Sequence, residues 1–252
     1  MSDYSLQGKV WLGTRLPSGK CGALKWLGDN SELSLKLTTD KSERTESFSG
    51  NRLTSAVLQK AKKAEISLKP NQLNSTVLAL ALYATVNAIA AGSVTAEPLP
   101  AGLLVGDTVV LDHQNSSAHV LTDSAGAPVT LVKDTDYKVE SPAASLITLL
   151  TLGTPPWTEP VKAAYSYAAA VDMAMFTAPI PERYLVFDGI NTLTNERVLL
   201  RLYRCQLDPV SDLALISDDL GEMSLGGSVL FDTVNAADAT LGGFGKISLP
   251  GS

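Results

Sequence analysis

Residues 31–38 read SELSLKLT and residues 63–69 read KAEISLK. In the first, Leu33, Leu35 and Leu37 alternate with Glu32, Ser34, Lys36 and Thr38. In the second, Ala64, Ile66 and Leu68 alternate with Lys63, Glu65, Ser67 and Lys69. A period of two with one apolar face marks a half-buried antiparallel strand. The two are natural hairpin partners, yet residues 39–61 (TDKSERTESFSGNRLTSAVLQKA) lie between them. Hairpin loops need about 2–5 residues, and structureless loops beyond roughly 12–15 are uncommon unless they do something. This segment is too polar to bury itself, carrying Asp40, Lys41, Glu43, Arg44, Glu46, Arg52 and Lys60; Phe48, Leu53, Val57 and Leu58 give it apolar anchors. Composition leaves three readings open: a mobile loop, a loop packed back on its own domain, and an arm that grips another chain.

The 252 residues suffice for one large β domain or two small ones, and 45% hydrophobic with 18% charged residues suits a well-packed chain rather than a disordered one. Cys21 and Cys205 are too few and too far apart for a disulfide framework, so free thiols in a reducing compartment are expected. The N-terminus lacks the basic-then-apolar pattern of a signal peptide. The most apolar run, residues 77–91, is broken by Asn87 and falls short of the ~20 residues a membrane span needs. The net charge of −6 is unevenly spread. Residues 1–70 hold 12 basic and 7 acidic residues, +5, and the remainder carries −11. A chain basic at one end and acidic at the other can attract copies of itself head to tail. Overall acidity argues against a surface that grips nucleic acid through its phosphates.

Along the chain, residues 9–16 predict a strand, turned by Pro17-Ser18-Gly19, and residues 22–27 a second one, with Trp11 and Trp26 as core or interface anchors. Gly13 through Cys21 has a P-loop-like look but the wrong glycine spacing, no Ser/Thr after Lys20, and a proline that suits a turn. Asn74 or Ser75 can cap a helix over TVLALALYA, whose Val77, Leu78, Ala81 and Leu82 form one stripe. From residue 93 to 170 short strands alternate with turns (strands at 108–111, 119–122, 129–132, 137–139, 146–150 and 161–168), predicting a small antiparallel module. Strands at 184–188, 196–207, 213–217 and 222–232 follow, and the Gly-rich stretch from 233 to 252 reads as a flexible tail or an edge-covering extension.

No catalytic constellation emerges. His113 and His119 lack cysteines or paired carboxylates at ligand spacing, and no G-x-S-x-G, H-E-x-x-H or C-x-x-C is present. Asp134-Thr135-Asp136 lacks the glycine and glutamate of an EF-hand loop, and Asp218-Asp219 beside Gly221 suits a turn. The expectation is a protein that is not an enzyme and needs no cofactor or metal.

Residues 4–13 (YSLQGKVWLG), the leucine-alternating strand, the Glu46-Ser-Phe48-Ser-Gly50 arm, the second strand and the helix after it resemble the N-terminal part of a siphovirus-type major tail tube protein of tailed bacteriophages. Leu213 to Gly221 and Leu230 to Asp232 resemble the closing hairpin of that family, and the middle segment resembles its common insert. The resemblance covers residues 4–85 and 183–232. It implies a mainly β fold: a tail-tube-type β-sandwich with one packed α-helix, a long hairpin arm and an inserted small β module. The tube core would comprise 1–92 and 171–232, the insert 93–170 and the extension 233–252. Six copies would form a ring whose inner hairpins close a β-barrel, and rings would stack into the conduit for genome ejection. Partners would be further copies, a tape measure protein, and tail terminator and tip proteins. DNA would pass without specific binding, no membrane would be involved, and the protein would sit in the virion tail after assembly in the host cytoplasm. Asp40, Lys41, Glu43, Arg44, Glu46, Phe48 and Arg52 become candidates for contact between rings. Ser34, Lys36, Thr38, Lys63, Glu65, Ser67 and Lys69 become candidates for the lumen wall. The alternative is a carbohydrate- or receptor-binding β module of a phage or bacterial surface protein.

Overall fold

A computed structural model describes residues 3–180, 182–218 and 220–249. The chain is mainly β, with 16 strands and two short helices among these residues. It divides into two compact units, one of residues 1–85 with 173–252, the other of residues 86–172. The insert expected at 93–170 falls within the second.

The first unit is built on one antiparallel sheet in the order β2-β1-β13-β14-β15-β4-β3, formed by β1 (Leu6–Arg15), β2 (Cys21–Trp26), β3 (Asn30–Thr45), β4 (Thr54–Pro70), β13 (Glu182–Asn191), β14 (Arg197–Leu207) and β15 (Leu225–Val229). Its inner face buries Val10, Leu12, Ile66, Leu68, Leu185, Leu202, Leu207 and Leu225 around one core. The alternation in residues 31–38 and 63–69 places Ile66 and Leu68 in that core and Leu33 and Leu35 against it. Leu37, on the same face at the last row that β15 reaches, is 70% exposed. Gly227 is required by close packing: a Cβ at this position would lie 2.4 Å from the Gln206 carbonyl oxygen on β14.

The expected helix forms as α1 (Ser75–Ala81), with the Asn74 side chain accepting from the Val77 N–H at 2.9 Å. Val77, Leu80 and Ala81 are its buried residues. It stops earlier than TVLALALYA suggests. Tyr83 takes a left-handed φ of 48° while the Ala84 N–H bonds the Ala79 carbonyl, a Schellman ending with tyrosine where glycine is usual. The Tyr83 hydroxyl donates to the Leu207 carbonyl at 2.6 Å and holds that conformation in place.

The strand expected at residues 213–217 does not form, and Leu215 and Ile216 are 82% and 97% exposed. Trp11 is half-buried and Trp26 47% exposed, paired across β1 and β2 rather than sunk in the core. Of the two readings of the stretch after 232, the edge-covering one describes its strand. α2 (Thr233–Ala236) is followed by β16 (Gly245–Ser248), which pairs with Leu199–Leu202 of β14, the part that β15 leaves uncovered.

In the second unit, β6 (Gly92–Pro98), β11 (Lys162–Tyr167) and β8 (Ser116–Thr122) form one three-stranded sheet. β7 (Thr108–Val110), β10 (Leu146–Leu149) and β9 (Tyr137–Ser141) form another. Their core holds Leu121, Leu131, Tyr137, Ile147, Leu149 and Tyr165. Residues 129–132 contribute only an isolated bridge, Thr122 to Thr130, instead of the expected strand. The Asp134-Thr135-Asp136 segment is a turn, its Asp136 carboxylate accepting from the Val132 N–H at 2.7 Å. β5 (Thr85–Ile89) and β12 (Ala170–Ala174) pair as a two-stranded ribbon that carries the chain out of the first unit and back.

Candidate interaction surface: a projecting hairpin and an apolar groove

β3 and β4 run 16 and 17 residues, far longer than the sheet they belong to. β4 meets β15 only over residues 64–68, and among the described residues β3 has no neighbour but β4. Residues 38–45 and 54–63 therefore pair only with each other. The segment expected as a long connection is itself strand, and the true connection is residues 46–53. The sequence could not show this by alternation, because both faces of the projecting ribbon meet water and no apolar side is demanded. Bulges at Thr39/Lys41 and Arg44/Thr45 interrupt its register. The ribbon does not fold back: residues 54–63 are exposed throughout.

At its tip, Glu46 acts inside the turn. Its carboxylate accepts from the Phe48 and Ser49 N–H groups, both at 2.9 Å, from the Ser49 hydroxyl, and from the Leu53 N–H at 3.4 Å. These donors lower its pKa to about 2. Glu46, expected to meet a neighbour, instead shapes the tip that presents Phe48, 90% exposed, with Leu53 also exposed. Asp40 is likewise spent within the chain, 2.8 Å from Lys63. Lys41, Glu43, Arg44 and Arg52 remain exposed, without a side-chain partner among the described residues.

The seven lumen candidates lie together on the face of the hairpin opposite the core. Ser34 registers with Ser67, Lys36 with Glu65 and Thr38 with Lys63. Two carboxylates that sequence reading left out of the set complete it. Lys69 pairs with Glu32 at 2.9 Å, Lys36 with Glu65 at 3.2 Å, and Lys63 with Asp40. Proximity of the carboxylates raises the pKa of Lys63 and Lys69. Such exposed pairs contribute little to stability, but they leave the ladder electrically neutral. The signal was present in the register: each lysine has an acid opposite or one step along.

A second feature was illegible in sequence because five strands and a connection build it. Between β1 and β3 a groove of about 620 Å³ opens, lined by Leu33, Leu35, Phe187, Leu200 and Ile247, with Asp29 and Glu32 exposed beside them. Asn30 also lines it. Its Nδ2 donates to the Gly28 carbonyl at 2.8 Å, while its Oδ1 is the one buried side-chain polar atom without a partner among the described residues.

The family model described as "Protein of unknown function UCP028589" matches residues 3–248. The chain belongs to that family. No curated protein matches it. The match spans both units, so the second unit is part of what defines the family. Among the described residues no helix is long and apolar enough to cross a membrane, and no group of three or more His, Cys, Asp or Glu is placed to hold a metal ion.

Proposed function

We propose that this protein is a structural, self-assembling one: the major tube protein of a siphovirus-type phage tail, in which copies form rings, hexameric in the family it resembles, that stack into a conduit for genome ejection. The observation that carries the reading is the hairpin that outruns its sheet. A two-stranded ribbon is marginally stable alone in water. Here it is long, exposed on both faces and tipped with a bare phenylalanine, features that fit a segment whose second surface comes from another molecule. Phe48 is the anchor and Lys41, Glu43, Arg44 and Arg52 the pairing charges. β3 is also an unpaired edge, and lateral closure of copies into a ring would remove it.

The neutral ladder supports the lumen assignment. DNA held by a basic wall would stick through counterion release, whereas a wall whose lysines are each matched by an acid would let it slide. A tape measure protein inside, and terminator and tip proteins at the ends, complete the assembly this reading implies, with the mature protein in the virion tail.

The alternative, a module that binds carbohydrate or a receptor, draws on one observation in the second unit. A cavity of about 240 Å³ is lined by Asp112, His113, Gln114, Tyr167 and Asp172, with the His113 ring stacked on Tyr167 at 3.9 Å. Electron micrographs of concentrated protein separate the two. Rings or tubes are expected, and deleting residues 42–52 leaves a folded chain that forms none. Discrete monomers from the intact chain, or normal tubes after the deletion, would defeat the tube reading.

A further inference from the structure

We propose that the groove between β1 and β3 is the socket for the hairpin tip of a second copy. The inference rests on the assembly reading and names the surface that the arm grips.

Three observations point to this occupant. The groove walls are apolar where the tip is apolar. Leu33, Leu35 and Phe187 are only partly covered by their own core, and Ile247 is 58% exposed, so a phenylalanine and a leucine seated there would remove apolar surface on both sides from water. The groove is short of a hydrogen-bond donor. Asn30 Oδ1 is buried with no partner, a costly state for an amide oxygen. The tip carries spare donors: the guanidinium groups of Arg44 and Arg52 make no hydrogen bond or ion pair among the described residues. The charges also match in sign, with Asp29 exposed beside the groove against Arg44 and Arg52, which flank Phe48 in sequence.

The placement of the two partners has a geometric consequence. β3 lines the groove with its first half and carries the tip beyond its second. Donor and socket thus lie at opposite ends of one strand, so the contact is head-to-tail and does not close on itself in a pair. Copies would repeat along the arm at roughly 40 Å, from about 3.3 Å per residue over the dozen residues between Leu35 and the tip.

Paired cysteines and a charge exchange test it. In a Cys21→Ser background, Phe48→Cys combined with Leu35→Cys should give, on mild oxidation, a ladder of trimers and higher species on a non-reducing gel. Each single variant stops at dimers, and Phe48→Cys with the exposed Leu24→Cys gives no ladder. Independently, Arg52→Glu or Asp29→Arg alone should raise the concentration needed for polymers at least tenfold, and the double exchange should recover most of it. Both residues are exposed, so folding is not at stake, and unchanged circular dichroism verifies that. Polymers that need residues 42–52 but show neither the ladder nor the recovery would overturn the socket and leave the gripping arm standing. Polymers indifferent to residues 42–52 would remove both.

Discussion

The Asp232 carboxylate is fully buried and takes five donors. Arg15 meets it through Nε and Nη2, each at 2.9 Å; the Val234 and Asn235 N–H groups cap α2 on it; and Asn235 Nδ2 reaches it at 3.0 Å. Asn235 Nδ2 also donates to the Gly19 carbonyl at 2.9 Å, so one cluster ties the β1–β2 turn to the C-terminal extension. The Arg15 guanidinium, chief among these donors, holds the Asp232 pKa well below the usual carboxylate range. Asp232→Ala leaves Arg15 nearly buried without its anion and should cost about 3 kcal/mol, read by urea denaturation. The pH dependence has a definite sign. The folded chain binds this proton less readily than the unfolded chain, so the stabilisation is full above the ordinary aspartate value of about 4 and drains as pH falls below it. The melting temperature should therefore drop more steeply below pH 4 in the native chain than in Asp232→Asn; equal slopes would assign the acid sensitivity to Glu182 or Asp123, whose pKa values are also lowered.

At the scale of the element, the hairpin tip behaves as a unit separate from the core. Glu46 supplies its acceptors from an exposed position, and its pKa of about 2 keeps the carboxylate charged through any ordinary acidity. In Glu46→Ala, amide exchange at Phe48 and Ser49 should rise several-fold while the melting temperature stays where it was, because nothing in the core touches the turn; NMR exchange and calorimetry on the same sample check both halves. The contrast with β3 and β4 nearer the core explains what sequence could reveal. Leu33, Leu35, Ile66 and Leu68 announce their strands because one face of each is packed against the core. Residues 39–45 and 54–61 lack that demand and read as loop. The opposite error arose at residues 213–217, where a short apolar run looked like a strand but forms none, and both Leu215 and Ile216 face water. β16 was hidden for a third reason: GKIS is a weak strand signal, and it pairs only because β14 outlasts β15 at that edge. Of the candidate surface, the arm and its charges were legible. The groove was not, since Leu6, Leu33, Phe187, Leu200 and Ile247 come together only when the sheet is complete.

At the scale of the molecule, the two units have cores without a residue in common, and they divide the charge unequally. Residues 86–172 hold 3 basic and 9 acidic residues, which accounts for the whole net charge of −6. The first unit, with 17 of each, is neutral. Of the −11 beyond residue 70, −6 belongs to the second unit and −5 to residues 173–252 of the first, so the acidic end of the chain is shared between the units, whereas repulsion between copies arises from the second. A neutral unit associates readily, and like-charged neighbours oppose assembly to an extent that salt relieves. Replacing residues 86–172 with a short Gly-Ser turn at the base of the β5–β12 ribbon should leave a chain that melts in one cooperative transition. The intact protein should polymerise at lower concentration as salt is raised, and the shortened one should polymerise at low salt already and respond weakly to more. Sedimentation of polymer at low and high salt measures both. A shortened chain that folds yet keeps the full salt response would show that the repulsion comes from the first unit, where the unpaired lysines and arginines of the arm would then be its source.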